Sequence, residues 1–281
     1  MPELPEVETI VRRLRKVLLD NSISKIEILR DKSFQGDSDS IIGKKITNIS
    51  RKAKIIIISF ENKMSVIIHL KMTGQLIFQS NDGQRLGGGH PSDDWVNALP
   101  AKHTRVIMTL NNGTLFFNDM RVFGWIKVLP DSEVASAFIG YAADIIDPAI
   151  SPTYFKKAFL KKSQPIKQVV MDNSIVAGVG NIYANDALHL AKVSPFRPAN
   201  SLSNEELNKL YEALLFVIHK GIELGGATID NYRTVDGLAG GYQDIVRVYQ
   251  REGQPCIVCK STILRTKQGG RSTFYCEVCQ T

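Results

Sequence analysis

Along Val7–Leu18 the hydrophobic positions follow the helical period. Val7, Ile10, Val11, Leu14, Val17 and Leu18 recur on one face, with Arg12, Arg13, Arg15 and Lys16 opposite them. The pattern predicts a helix that starts almost at the first residue. Pro5 suits its first turn, and Glu6 and Glu8 suit the positive end of its dipole. From residue 23 to 130 the texture changes to short β-branched runs separated by turn signals. These predict strands at 24–29, 45–50, 54–60, 65–70, 75–79, 105–110, 114–118 and 124–128. Asn111-Asn112-Gly113 is a hairpin signal between two of them. One helix followed by many strands predicts a β-sandwich or flattened barrel. The Gly-, Asp- and Pro-rich segment 80–102, with Gly87-Gly88-Gly89, reads as an exposed excursion without an assigned role.

Past Leu129-Pro130-Asp131 helical patterns dominate, with short helices expected at 152–162, 165–172 and 181–192. Ser203 and Glu206 form a capping box. It opens a helix whose apolar face carries Leu207, Leu210, Leu214, Val217, Ile218 and Ile222, and Gly225-Gly226 stops it. A glycine-rich loop, 236–242, leads into a small basic module. The whole is an α+β multidomain chain.

Composition changes this picture in one direction. The 281 residues carry a formal net charge of +7, which favours a polyanionic partner. No apolar run approaches membrane-spanning length and no secretory signal opens the chain, so a cytoplasmic, reducing location is expected. Four cysteines in such a compartment read as metal ligands rather than disulfides.

Their spacing is specific. Cys256-x2-Cys259 and Cys276-x2-Cys279 flank a hairpin-like stretch, the arrangement of a closed, structural four-cysteine zinc site. Lys260, Arg265, Lys267 and Arg271 lie between the pairs, suited to phosphate, with a solvated basic face as the plain alternative. Gly178-Val179-Gly180-Asn181 before a helix can make an anion site, although glycine pairs often mark close packing. His69, Lys71 and Met72 cluster at one strand end. At another, Arg121 and Phe123 stand two apart, the kit of an apolar wedge beside a cation. Lys54 precedes a wholly apolar strand, where burial can tune its amine. At the chain's start, removal of Met1 would give Pro2 a free secondary amine beside Glu3. An α-amino group is far closer to neutrality at physiological pH than a lysine, and a helix dipole lowers its pKa further. Such an amine can attack an aldehyde or sugar C1′ with a carboxyl moving protons beside it. An ordinary helix cap with surface carboxylates is the alternative on these residues alone.

Taken in order, these motifs resemble one family. Met1-Pro-Glu-Leu-Pro-Glu-Val-Glu-Thr9, His69-Leu-Lys-Met-Thr-Gly74, Met171-Asp-Asn173, Gly178-Val-Gly-Asn-Ile-Tyr183 and Arg271-Ser-Thr-Phe-Tyr-Cys276 are similar to the motifs of bacterial formamidopyrimidine-DNA glycosylases, relatives of endonuclease VIII. The resemblance spans essentially the whole chain. It implies a helix-headed catalytic β-sandwich at 2–130, a linker at 131–150 and a helix-two-turn-helix DNA-binding domain at 151–235. A lesion-capping loop at 236–244 and a zinc finger at 245–281 complete the division, with one structural zinc ion held by Cys256, Cys259, Cys276 and Cys279. It implies removal of oxidised purines from double-stranded DNA, followed by strand nicking, by a monomer at the bacterial nucleoid. Pro2 would be the Schiff-base nucleophile, Glu3 the acid that helps open the sugar, Lys54 the proton donor for β-elimination and Arg271 the δ-elimination residue. His103, Arg121 and Lys162 fall on DNA-binding positions, and Asn181 and His69 on phosphate-contacting ones. Met72, Arg121 and Phe123 would fill the gap left by a flipped nucleotide. The chain departs from the family at Val122, where many members carry a second basic residue, and in the length of 80–102.

Two rivals stand beside this reading. An endonuclease VIII-like enzyme would prefer oxidised pyrimidines, and Leu4 argues for the purine branch, since the other branch typically carries glycine there. A catalytically inactive damaged-DNA-binding protein would have no use for a free Pro2 amine.

Overall fold

The computed structural model describes residues 1–89, 99–227, 233–234 and 240–281. They form two compact units, Met1–Ile139 with Leu224–Gln243, and Gly140–Glu223 with Asp244–Thr281.

The first unit begins with helix α1 (Leu4–Leu18), which has a capping box at its N-terminus and proline in its first turn. The strands that follow are β1 (Ile23–Ile28), β2 (Phe34–Gln35), β3 (Ile46–Lys52), β4 (Ile55–Phe60), β5 (Met64–His69) and β6 (Gly74–Ser80). Then come β7 (Arg85–Gly89), β8 (Thr104–Leu110), β9 (Gly113–Asp119), β10 (Trp125–Pro130) and, far along the chain, β11 (Arg233–Thr234). A short helix, α2 (Asp131–Val134), follows β10. One sheet runs β1-β8-β9-β6-β7-β11 and the other β2-β10-β5-β4-β3. Val7, Ile10 and Leu14 of the helix share one core with Ile56 and Ile68 of one sheet and Leu76 and Phe117 of the other. The expected sandwich with a leading helix is therefore the fold. All eight predicted strands form, and Leu110 pairs with Gly113 across the predicted hairpin.

Three strands, β2, β7 and β11, escaped the sequence reading, and β11 has only two residues. β2 is only two residues long, too short to show a period. β7 corrects the expectation that 80–102 is an exposed excursion, because Gly87, Gly88 and Gly89 are buried and paired within the sheet. Helix α1 packs onto this strand. Glycine is depleted in strands, so the run carries no strand signal. The backbone explains its presence. Gly87 has φ +137 and a Cβ there would stand 2.0 Å from the Leu76 carbonyl oxygen, while Gly89 has φ +139 and would meet that of Gly74 at 2.4 Å. Residues 90–98, the rest of that excursion's centre, and 235–239 of the expected capping loop lie outside the described residues. The base of that loop is described: Gly241 N–H donates to the Leu224 carbonyl at 2.8 Å and Tyr242 N–H to that of Gly226 at 3.1 Å.

The second unit holds α3 (Pro152–Phe159), α4 (Ile166–Val170), α5 (Asn181–Leu190) and α6 (Asn204–Glu223). The capping box at α6 forms as read, with Ser203 N–H donating to Glu206 Oε2 at 2.7 Å and Glu206 N–H to Ser203 Oγ at 3.2 Å. Strands β12 (Leu264–Gln268) and β13 (Arg271–Tyr275) make the hairpin between the cysteine pairs, turning through Gly269 and Gly270, both at positive φ. Among the described residues Val248, Ile263 and Phe274 join Cys256 and Cys276 in the small core beneath it, with half-buried Tyr249 packed against them. Among the described residues no helix is long and apolar enough to cross a membrane.

Candidate active site and metal centre

Helix α1 fixes the first candidate cluster. Glu3 is its extended N-cap (φ −96, ψ −172) and donates its backbone N–H to Glu6 Oε2 at 2.8 Å. Pro2, Glu3 and Glu6 are all buried. The Met1 amine is pushed below its ordinary value by burial, and Lys54 pushes the same way against Glu3 and Glu6. Lys54 itself is buried in the turn between β3 and β4, where Ala53 takes a left-handed φ of +53. Residue Ile55, next to it, pairs with His69 across the sheet. Burial drives the His69 pKa down to about 3, with Lys71 and Lys54 adding to it. Its neutral ring accepts the Lys71 N–H on Nδ1 at 2.9 Å and faces Trp125 at 5.8 Å. The fold thus gathers Pro2, Glu3, Lys54 and His69 in one neighbourhood, where burial disfavours the charged forms of the Met1 amine and of the His69 ring.

Glu6 plays a larger part than its place near a helix dipole suggested. Its Oε1 accepts the Ala227 N–H at 2.9 Å, so one buried carboxylate holds both the N-cap amide and the Ala227 amide. Gly226, at φ +90, leaves room for it, since a Cβ there would stand 2.9 Å from Glu6 Cγ. No local pattern marks this contact, because its partners are separated by most of the chain.

A second cluster forms around Asp119, which is fully buried. Its Oδ2 accepts the Gly124 N–H at 2.7 Å and its Oδ1 accepts from Arg121 N–H at 3.2 Å and from the Thr73 hydroxyl. The Arg121 N–H also donates to Thr73 Oγ1 at 3.1 Å, binding the 71–74 turn to the 120–124 bend. The bend carries Arg121 with its guanidinium carbon 4.8 Å from the Phe123 ring centroid. Phe123 is 51% exposed and Met72 is 44% exposed. The wedge pair is together for a different reason from the pleat of a strand. Val122 between them has φ +55, unusual for a β-branched residue, and the Asp119 contacts hold it there. His103 borders the cluster, its carbonyl accepting the Asp119 N–H at 2.9 Å. Sequence reading missed Asp119, which lies two residues before Arg121 but gave no separate signal.

The second unit assembles the metal centre. Sγ atoms of Cys256, Cys259, Cys276 and Cys279 all lie within 4.8 Å of one another. Four thiolates about 2.3 Å from a zinc ion have tetrahedral edges of about 3.8 Å. The Cys256–Cys279 and Cys259–Cys276 separations of 3.9 and 3.4 Å fit that figure. The donor set is closed, so the ion is structural. Helix α5 braces the finger through its polar face. Asn181 Nδ2 donates to the Ser272 carbonyl at 3.0 Å, Asn185 Oδ1 accepts the Phe274 N–H at 2.9 Å, and buried Asp186 accepts the N–H groups of Arg247, Val248 and Tyr249. Buried Lys167 adds bonds to the Ser272 carbonyl and Thr273 Oγ1. Asn181 and Arg271 are therefore brought to one hairpin. Lys162 is not drawn into it; it follows α3, and its carbonyl accepts the Asn200 N–H at 2.9 Å.

A helix-led sandwich, a helical unit and a four-cysteine finger thus follow one another along the chain. Comparison with known proteins assigns this order to a family. Residues 1–126 match the formamidopyrimidine-DNA glycosylase N-terminal domain, 142–233 the H2TH domain of the same enzymes, and 253–281 a zinc finger found in FPG and IleRS. The formamidopyrimidine-DNA glycosylase of Rickettsia bellii is 38% identical over 286 residues, covering 100% of this chain and 99% of the relative. That of Pelotomaculum thermopropionicum is 35% identical over 288 residues, covering 100% and 99%. The crystal structure of the MutM (Fpg) protein of Thermus thermophilus superposes with a TM-score of 0.86 at 34% identity, covering 99% of this chain and 98% of that one. A Lactococcus lactis Fpg complex with DNA containing an abasic site gives 0.88 at 28%, covering 100% of both.

The chain belongs to the formamidopyrimidine-DNA glycosylase family. It is thus a DNA glycosylase, an enzyme acting on N-glycosyl bonds, consistent with base excision repair of oxidised purines.

Proposed function

We propose that the chain is a bifunctional enzyme that excises oxidised purines such as 8-oxoguanine and formamidopyrimidines and then nicks the DNA strand by β,δ-elimination. The observation that carries this is the buried N-terminal neighbourhood, where Pro2 and Glu3 are buried close to buried Lys54. After removal of Met1, the Pro2 nitrogen attacks C1′ of the lesion nucleotide and the base leaves with the electron pair of its glycosidic bond. Glu3 supplies the proton that opens the sugar at its ring oxygen, leaving an iminium between Pro2 and C1′. Loss of a C2′ proton then expels the 3′ phosphate, with Lys54 as proton donor, and Arg271 serves the second elimination at the 5′ phosphate.

The substrate is double-stranded DNA carrying an oxidised purine or an abasic site, the kind of duplex bound in the Lactococcus lactis complexes. A base must leave the stack before its glycosidic bond is reachable, which costs a few kcal/mol. Exposed Met72 and Phe123, with Arg121 over the ring, suit the vacated space. His69, His103, Lys162 and Asn181 contact the DNA backbone, and the +7 net charge makes binding steeply salt-dependent. The enzyme acts as a monomer in the bacterial cytoplasm, at the nucleoid.

Borohydride reduction during incubation with an abasic-site duplex should trap a covalent adduct through the N-terminal residue. Retention of Met1, which ties the Pro2 nitrogen into a peptide bond, should reduce trapping on the order of a hundredfold or more, as expected when a covalent nucleophile is lost. A variant that traps like the native protein would remove Pro2 from the mechanism. Faster cleavage of thymine glycol than of 8-oxoguanine opposite cytosine would move the enzyme to the pyrimidine branch.

A further inference from the structure

The zinc site has a neighbour that the cysteine spacing does not reveal. His189, near the C-terminal end of α5, is 1% exposed, and its Nε2 lies 3.3 Å from Sγ of Cys256, itself fully buried. On the other side of the ring, Arg247 Nε donates to Nδ1 at 3.1 Å. A guanidinium has donors only, so Nδ1 must be the lone-pair nitrogen of a neutral ring. The proton then sits on Nε2 and points at the sulfur. One hydrogen bond has decided the direction of the next.

Arg247 is held in place independently of this contact. Its backbone N–H donates to Asp186 Oδ2 at 2.9 Å, one turn before His189 on the same helix, and its carbonyl accepts from Arg251 Nη1 at 2.8 Å. Four thiolates around a divalent ion carry net negative charge, and Cys256 and Cys276 are buried, which leaves their sulfurs few ways to disperse it. The Val258 N–H already reaches Cys256 Sγ at 3.4 Å. His189 supplies a second donor, and the fixed positive charge of Arg247 stands directly behind it.

We propose that His189 is a positioning residue for the zinc site, donating Nε2–H to the Cys256 thiolate under the orientation of Arg247 and so governing how tightly the finger keeps its metal. The bond joins α5 to a zinc ligand, while the same helix holds the 271–275 strand through Asn181 and Asn185. Metal retention and the placement of Arg271 are thus served by one helix. This inference rests on the metal site alone and is independent of the nucleophile assignment.

Zinc transfer to a chelator and the sulfur-to-cobalt charge-transfer band of the cobalt-substituted enzyme test it. His189→Phe keeps the ring volume and removes the donor; it should release zinc on the order of 10–100-fold faster, the usual scale for loss of such a partner. Its cobalt band should move to lower energy, because an unbonded thiolate gives up its electrons more easily. His189→Gln, which retains an N–H, should stay within a few-fold of the native rate. Equal rates and unshifted bands in native and Phe enzymes would overturn the proposal, as would Gln behaving like Phe. A measurement on the unaltered sequence covers a Phe variant that fails to fold. In the cadmium-113-loaded native enzyme, the His189 Nε2 proton should show scalar coupling to the metal across the N–H···S bond. A ring found protonated on Nδ1 would overturn the assignment.

Discussion

Pro2, Glu3, Lys54 and His69 stand on elements whose other faces are almost wholly hydrophobic, whereas Arg271 and Asn181 stand on a hairpin and helix tied by polar contacts. Behind the first group lie Val7, Ile10, Ile56, Ile68 and their neighbours in one continuous core shared by two sheets. Each such side chain contributes about 1.5–3 kcal/mol on burial, so no single contact decides where the cluster sits. Behind the second group the finger offers Val248, Ile263 and Phe274, and its position depends on four thiolates, Lys167, Asn185 and Asp186. A redundant apolar support tolerates small losses. A sparse polar one fails together when its centre is removed.

Removal of zinc is the largest break of this contrast. Stripping the ion should unfold the finger, since structural zinc supplies on the order of 10–16 kcal/mol of apparent binding free energy to small modules of this kind. Affinity for an abasic-site duplex should fall by orders of magnitude. Both tryptophans, Trp95 and Trp125, fall within the first unit's sequence, so tryptophan emission should hold while tyrosine ellipticity and protease resistance of 245–281 collapse. A metal-free protein with native DNA affinity would show that the small apolar core suffices.

The same contrast explains what the sequence disclosed. The leading helix, the eight strands and the capping box at Ser203 were legible because their signals are periodic or separated by a few residues. Zinc ligands were legible because each pair sits in a knuckle. Lys54 stood out as a charge before an apolar strand, but its role and those of the DNA contacts came from family resemblance. Glu6, Asp119, Asp186 and His189 gave no signal of their contacts. Glu6 meets Ala227, Asp186 meets 247–249 and His189 meets Cys256, pairings that exist only once the chain has folded. Strand β7 was hidden for the opposite reason, since glycine is needed there for what it lacks.

His69 allows a smaller break inside the robust unit. Its folded pKa of about 3 lies below the unfolded 6.5, so the unfolded chain binds the proton more readily between those values. The stability it preserves is fully present above about pH 6.5 and is lost as pH falls toward 3. From pH 7 to pH 5 the linkage amounts to about 2 kcal/mol. Urea unfolding followed by tryptophan emission should show native protein losing about that much more than His69→Gln over this interval. Parallel losses in both proteins would mean that the ring titrates normally in the fold.

The smallest break concerns Glu8 on α1, which receives two arginines. Burial alone would raise its carboxyl, but the hydrogen bonds and charges of Arg12 and Arg51 outweigh it and hold the group below its ordinary value. The two contacts have nearly the same length, 2.8 Å from Arg12 Nε and 2.9 Å from Arg51 Nε, yet their surroundings differ. The Arg12 side chain is 58% exposed and that of Arg51 is 6% exposed. Water screens the first pair, and an exposed bridge one helical turn apart is worth about 0.3–0.5 kcal/mol. Arg51 also reaches the Ala53 carbonyl at 3.4 Å and so ties the helix that presents Pro2 to the turn that presents Lys54. Arg12→Ala should therefore lower the first unit's stability by no more than about 0.5 kcal/mol and leave borohydride trapping unchanged. A loss of several-fold in trapping would show that the N-terminal cluster is poised on surface charge after all, rather than held by the apolar core beneath it.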